Sequence, residues 1–222
     1  MKLADRLNNL GIENAFEVLA EVTKLRAQGR DILSFAIGEP DFDTPENIKE
    51  ACIKAIQANH THYGPSAGLP QLRETIAAYI AKTRGIEVTP EEVVVAPGGK
   101  PIIYYIIHAL VNPGDEVIYP NPGFPIYESV TNFVGGKPVP APLLEEKEFS
   151  LDTDHLRSLV TPKTKLIVLN SPKIRPAACS PNPTWKLLLI LRSSMTCGCW
   201  PMKYTAVCCT AANFSASVRC PA

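Results

Sequence analysis

The chain has 222 residues, with 22 basic and 22 acidic side chains. That length can bury a sizeable core as one large domain or two small ones. A formal net charge of zero offers no strong field to nucleic acid or a membrane surface. Leu187 to Leu191 is the longest purely aliphatic run, far too short to span a bilayer, and the N-terminus has acids early and no unbroken apolar core, unlike a signal peptide. The expectation is a cytoplasmic protein that meets neither nucleic acid nor membrane.

In chain order, Ala15, Val18, Leu19, Val22 and Leu25 recur at helical spacing and predict a helix over 13–28, with Gly29 as its C-cap. Ile32 to Ile37 reads as a short strand. Thr44 as N-cap and Pro45 at the first helical position predict a helix burying Ile48, Ala51, Cys52, Ala55 and Ile56. After a loop from His60 to Gly68, Pro70 opens a helix with the stripe Leu72, Ile76, Tyr79 and Ile80, and Gly85 ends it. Thr89-Pro90-Glu91-Glu92 reads as a capping box. Val93 to Ala96 is a continuous apolar run of the kind buried on both faces of a parallel sheet.

A helix is predicted from Gly98-Gly99-Lys100-Pro101 through Ile102, Ile106 and Leu110. A turn follows at Asn112 to Asp115, then a strand at Glu116 to Tyr119. Helices near 126–133 and 154–160 and strands near 137–141 and 166–169 complete an alternating pattern. Such alternation predicts an α/β fold, a mostly parallel sheet with flanking helices.

The texture changes at Lys173. Beyond Asp154 there is no Asp or Glu, both tryptophans lie at 185 and 200, and six of the seven cysteines fall between Cys179 and Cys220. A folded surface is rarely built over so many residues without a carboxylate.

Several stretches bear on chemistry. Gly98-Gly99-Lys100 stands between an apolar run and a helix start, where backbone N–H groups uncrowded by side chains can hold an anion. It reads equally as a tight turn that needs glycine for its angles. Pro120-Asn121-Pro122-Gly123-Phe124-Pro125 is a stiff loop after a strand, placing Phe124 where ligands of open α/β sheets bind; a shaped turn with Phe124 in the core accounts for it too. Gly38 lies in an acidic loop before a capped helix, and Tyr63 is a loop aromatic. No histidine stands beside a Ser or Cys in a triad-like pattern.

In order, GEPDFDTP, HYGPSAGLPQLRETIA, APGGK, NPGFPIYES and LIVLNSP resemble the class I, fold-type I pyridoxal-phosphate aminotransferases, most of all their aspartate and broad-specificity group. The resemblance covers residues 11 to about 172. It implies a partial fold of that type, with 1–45 belonging to a small domain, 46–172 to the cofactor-binding domain, and the sheet cut before it is complete. It implies that Gly98, Gly99 and Lys100 hold the phosphate of pyridoxal phosphate and that Phe124 stacks on its ring. It further implies that Gly38 lies near the substrate carboxylate and that Tyr63 reaches the cofactor of the other subunit in a homodimer. The substrates implied are an amino acid and a 2-oxo acid.

The family continues from Asn-Ser-Pro with one variable residue and Asn-Pro-Thr-Gly. Here Lys173 is followed by Ile174-Arg175-Pro176, and the family's Schiff-base lysine, its aspartate under the ring nitrogen and its carboxylate-binding arginine are missing. Ser180-Pro181-Asn182-Pro183-Thr184 stands too late and ends in Trp185. Recombining the last base of each codon with the first two of the next permits Asn-Pro-Thr-Gly from Lys173 onward. The same rule permits Ala-Asp-Glu-Ile-Tyr from Trp200 to Thr205, which resembles the family's segment around that aspartate. The expectation is therefore a frame shift near Lys173, an out-of-frame tail over 173–222 without native fold, no catalytic residue of the chemical step in this chain, and no activity. Two alternatives stand beside it. The chain is a non-catalytic partner of a full-length subunit, or its tail is a cysteine-rich metal module, although Cys197, Cys199, Cys208 and Cys209 lack the spacing of a zinc ribbon.

Overall fold

A computed structural model of the protein describes residues 2–11, 15–38, 40–84 and 87–170. The expectations at Gly85 and for the tail from Lys173 onward lie outside these residues. The chain forms two compact units, one of Met1–Glu13 with the chain from Gly98 on, the other of Asn14–Pro97. The family division expected at residue 45 falls inside the second.

The first unit is organised by one strand, β1 (Glu116–Asn121), flanked by β2 (Lys137–Pro142) and β3 (Thr164–Ile167). All pairings are parallel, in the order β2-β1-β3, with Ile118 opposite Val139 on one side and Ile167 on the other. Parallel neighbours need crossovers, supplied here by α5 (Ile126–Phe133) and α6 (Thr153–Leu159). Side chains of a strand alternate between faces. Val117 and Tyr119 of β1, with Leu166 and Val168, therefore meet Ile103, Ile107 and Val111 of α4 (Gly99–Leu110) and its end, and Tyr127 and Val130 of α5. Ile118, with Ala141, Ile167 and Leu169, faces Leu156 of α6 and the Leu143–Leu151 bridge. The result is three layers, α4 and α5, sheet, and α6, with the fold class read from the sequence.

Polar groups fix the ends. The first α6 N–H groups, of Asp154 and His155, donate to the Asp152 carboxylate at 3.0 Å each, an N-cap that sets the start. With the N–H donors of His155 and Asp154 and the Lys147 ammonium on it, Asp152 is lowered to about 2, the His155 N–H being the largest cause. At the other end of the sheet, Glu116 accepts from the Thr161 hydroxyl at 2.6 Å and the Lys137 ammonium at 3.0 Å, with only 7% of its side chain exposed. These bonds, Thr161 first, hold its carboxyl below the ordinary range.

The second unit contains α1 (Ala15–Ala27), α2 (Glu46–Gln57) and α3 (Pro70–Arg84). Gly29 has φ +82 after α1, the left-handed end that glycine tolerates. The capping box is present, the Thr89 N–H donating to the Glu92 carboxylate at 2.9 Å. The Arg73 Nε donates to the Val93 carbonyl, also at 2.9 Å, and ties α3 to the segment after that turn.

Several expectations are corrected in this unit. Pro45, with ψ 141, is the N-cap of α2 rather than its first helical residue, and its carbonyl accepts from Ile48 and Lys49. The stripes on α2 and α3 are not buried: Ile56 is 59% and Tyr79 64% exposed, and of α3 it is Ala77 that is buried. Neither Ile32 to Ile37 nor Val93 to Ala96 is a strand. A strand exists through its ladder, and among the described residues the backbone bond of Val95 runs to the Ala67 carbonyl in a loop. Val93 is buried while Val94 is 70% exposed, so this run is not covered on both faces.

Candidate functional site

The C-terminal end of the first unit's sheet carries the candidate site, where open α/β sheets gather ligands. Three pieces of chain arrive there: the start of α4, the turn after β1, and Asn170 beyond β3. The α4 start is dictated by Gly98, whose φ of +94 and ψ of 171 form a backbone geometry essentially reserved for glycine. A helix start presents its first N–H groups outward; here Gly98 and Gly99 hold that place, and Pro101 follows Lys100 without an N–H of its own. A Cβ built on Gly98 or Gly99 meets nothing within 4 Å, so this is an open cradle rather than a glycine forced by crowding.

The turn after β1 is set differently. Asn121-Pro122 is a cis peptide, and a Cβ on Gly123 would run into the Pro120 carbonyl oxygen. Close backbone approach thus requires glycine there. Phe124 follows, half-buried, its ring 6.0 Å from and perpendicular to that of Tyr127, which is fully buried. The Lys100 ammonium lies over the Phe124 ring, 5.5 Å from its centroid. Gly98, Gly99, Lys100 and Phe124, singled out in the sequence, therefore stand on one unit, and Lys100 and Phe124 are in contact.

Gly38 and Tyr63 belong to the other unit. Gly38 is exposed with open space at its Cβ position, and the Tyr63 side chain is fully exposed. The loop bearing Tyr63 is anchored at its far end by Gly68, at φ +104, where a Cβ would overlap the Val95 side chain.

One polar group, the Asn of the LIVLNSP stretch, was given no site role by the sequence reading. Asn170 is 5% exposed, and its Oδ1 has no hydrogen-bond partner among the described residues. A buried acceptor without a donor is costly, and one at the ligand end of a sheet is a mark of a polar occupant. Its signal in the sequence was a lone amide closing the apolar run Leu166 to Leu169. Among the described residues, no cluster of three or more His, Cys, Asp or Glu could hold a metal ion, and no helix is long and apolar enough to cross a membrane.

The residues present fit a phosphorylated aromatic cofactor: open N–H groups and a cation for the phosphate, an aromatic face for the ring, and an orphaned acceptor beyond β3 at the same end of the sheet. Fold and site thus define an α/β protein with an open, glycine-led helix start at the end of a parallel sheet.

Comparison with known proteins goes further. Residues 30–190 match the model of the aminotransferase class I and II family; this chain belongs to that family. It is 44% identical over 170 residues to a probable aspartate/prephenate aminotransferase of Aquifex aeolicus, covering 77% of this chain and 43% of that protein. To the aspartate/prephenate aminotransferase of Thermus thermophilus it is 40% identical over 171 residues, with 77% and 44% covered. The solved aspartate aminotransferase from Thermus thermophilus with maleate superposes with a TM-score of 0.83 at 37% identity, over 87% of this chain and 50% of that one. The chain thus spans less than half the length of the curated relatives it matches. The family match also continues past residue 172, where the resemblance read from the motifs ends.

Proposed function

We propose that residues 1–172 are the N-terminal part of a pyridoxal-phosphate-dependent aminotransferase subunit, with 1–45 in its small domain and 46–172 in its cofactor domain. Its reaction moves an amino group between an amino acid and a 2-oxo acid. The observation that carries this reading is the Gly98-Gly99-Lys100 helix start beside Phe124, in a chain of this family.

The N–H groups of Gly98 and Gly99 bind the cofactor's phosphate, helped by the positive end of α4 and the Lys100 charge. Phe124 positions the ring by stacking, and Gly38 lies by the substrate carboxylate. The bound cofactor supplies the electron sink for loss of the substrate's α-proton. Tyr63, fully exposed in its own unit, serves the site of a second subunit in a homodimer in the cytoplasm.

The residues doing proton transfer are not assigned to this chain. The printed sequence from Lys173 is read as out of frame, so the chain holds the cofactor weakly and is inactive. The test adds pyridoxal 5'-phosphate to the full chain, dialyses, and scans for visible absorption and a borohydride-reducible link to one lysine. Weak, phosphate-dependent retention without such a link is expected; a stable yellow adduct at one lysine overturns the claim of inactivity. Resequencing the gene around the Lys173 codon tests the frame itself: an AGA or AGG codon at Arg175, which cannot yield the required Pro, sinks it. The fully exposed Tyr63 also favours a second reading, a non-catalytic partner of a full-length subunit, which co-purification with an intact aminotransferase would reveal.

A further inference from the structure

We propose that the hydrogen bond from Tyr119 to Glu128 is a positioning clamp, closing the chain on both sides of the Pro120–Pro125 turn and so setting the angle at which Phe124 meets a ligand's ring. This rests on the cofactor reading above and deepens it, by naming two residues that aim the stacking face.

The turn is fixed separately at its two ends. On the strand side, the Leu143 N–H donates to the Asn121 carbonyl at 2.7 Å. On the helix side, the Tyr127 N–H reaches the Phe124 carbonyl at 3.2 Å and the Ser129 N–H the Pro125 carbonyl at 3.1 Å. Among the described residues, none of these backbone bonds joins β1 to α5. That crossing is made by side chains. The Tyr119 hydroxyl, on β1, donates to the Glu128 carboxylate, in the first turn of α5, at 2.9 Å. The chain from 119 to 128 and this one bond form a closed ring, with Phe124 on its span.

Both partners suit the task. Tyr119 is buried in the apolar cluster against which Phe124 packs, so its ring has little room to swing and its hydroxyl keeps one direction. Burial first, and Glu128 next, hold that hydroxyl above the ordinary phenol range, so it remains a donor at neutral pH. Glu128 adjoins Tyr127, whose buried ring stands perpendicular to that of Phe124 with centroids 6.0 Å apart. A shift of the α5 start therefore moves the surface on which Phe124 rests. The bond is charge-assisted, but water competes at the exposed Glu128. Its net worth is that of an ordinary hydrogen bond, about three- to tenfold in an equilibrium.

Ring and phosphate can be separated by choice of ligand. Inorganic phosphate needs only the helix start of Gly98 and Gly99. Pyridoxamine 5'-phosphate needs Phe124 as well and, lacking an aldehyde, binds without a covalent link. In equilibrium dialysis of the full chain, Tyr119→Phe and Glu128→Ala should each weaken pyridoxamine 5'-phosphate about three- to tenfold and leave inorganic phosphate unchanged. Glu128→Gln keeps an acceptor oxygen and should retain most of the affinity. The double variant Tyr119→Phe with Glu128→Ala should lose no more than either alone, since both remove the same bond. Losses that extend equally to phosphate, or that add in the double variant, would mean that the pair only supports the fold, and they overturn the clamp.

A second measurement needs no ligand. The Phe124 ring protons should carry a ring-current shift from the perpendicular Tyr127 ring. That shift should diminish in Tyr119→Phe and Glu128→Ala and persist in Glu128→Gln. Shifts unchanged in all three variants overturn the clamp. If the shifts respond while neither pyridoxamine 5'-phosphate nor phosphate binds the unaltered chain, the clamp stands and the cofactor reading fails.

Discussion

Alanine at Gly98 and alanine at Gly99 should have opposite effects, although the two positions are neighbours and both are open. At Gly98 the penalty is wholly in the backbone: φ +94 with ψ 171 is a region that costs an L-residue about 1–3 kcal/mol, and nothing lies within 4 Å to add a clash. At Gly99 the backbone is already helical and the space equally open. There Ala restricts the unfolded chain and should stabilise by about 0.4–1 kcal/mol. Urea unfolding of the full chain, followed by far-ultraviolet circular dichroism, separates the two. With a slope of about 1–3 kcal/mol per molar urea, a loss near ~2 kcal/mol lowers the Gly98→Ala midpoint by about 1 M. The Gly99→Ala midpoint should hold or rise. Equal losses in both variants, or an unaffected Gly98→Ala, would mean that α4 does not begin on a glycine-only conformation, and the cradle argument would fall with it.

Two pH predictions follow from titratable groups on β1 itself. Glu116 is held below its ordinary 4.5 by Thr161 first and Lys137 second, so its stabilisation is present above pH 4.5 and is lost as acid carries the pH down through its folded value. Glu116→Gln should cost about 1–2 kcal/mol at neutral pH and flatten the acid limb of a urea-midpoint profile; an unchanged limb would contradict the assignment. Tyr119 is pushed well above its ordinary 10, by burial first and then by its 2.9 Å bond to Glu128. Its contribution is therefore complete below pH 10 and lost as the pH rises further, because the unfolded chain ionises there while the folded one does not. Tyr119→Phe should blunt alkaline unfolding, and a variant that unfolds at the same pH as the parent would refute the role.

Local chemistry was legible wherever local chemistry decides. The helix over 126–133 was found at its bounds, the Thr89 capping box and the Asn112 to Asp115 turn are present, and Asp115 closes that turn by accepting from the Asn112 N–H at 2.8 Å. Pro45 misled by one residue, because Pro is favoured at the first helical position whereas here its ψ of 141 leaves it as the cap. The apolar stripes of α2 and α3 and the run Val93 to Ala96 misled for another reason. Periodicity says which face is apolar, not what covers it, and in this unit those faces stay exposed. Of the candidate site, the glycines, Lys100 and Phe124 were legible as motifs. The Lys100–Phe124 contact and the orphaned Asn170 were not, since they arise from pieces of chain that only the folded sheet brings to one end.

The register of the sheet has a kinetic side as well. Glu116 pairs with Lys137, while Val117 pairs with Leu166, so the sequence separation a little more than doubles from one neighbour of β1 to the other. Each doubling of a closing loop costs only about 0.6 kcal/mol, less than a tenfold handicap. Chain entropy alone therefore leaves β2 only a slight head start over β3. During synthesis the order is instead set by emergence: β1, the Pro120–Pro125 turn, α5 and β2 form a contiguous βαβ piece that can close before β3 leaves the ribosome. Phe124 is then shaped by its own neighbours in sequence, and Asn170 is the last of the described site residues to arrive.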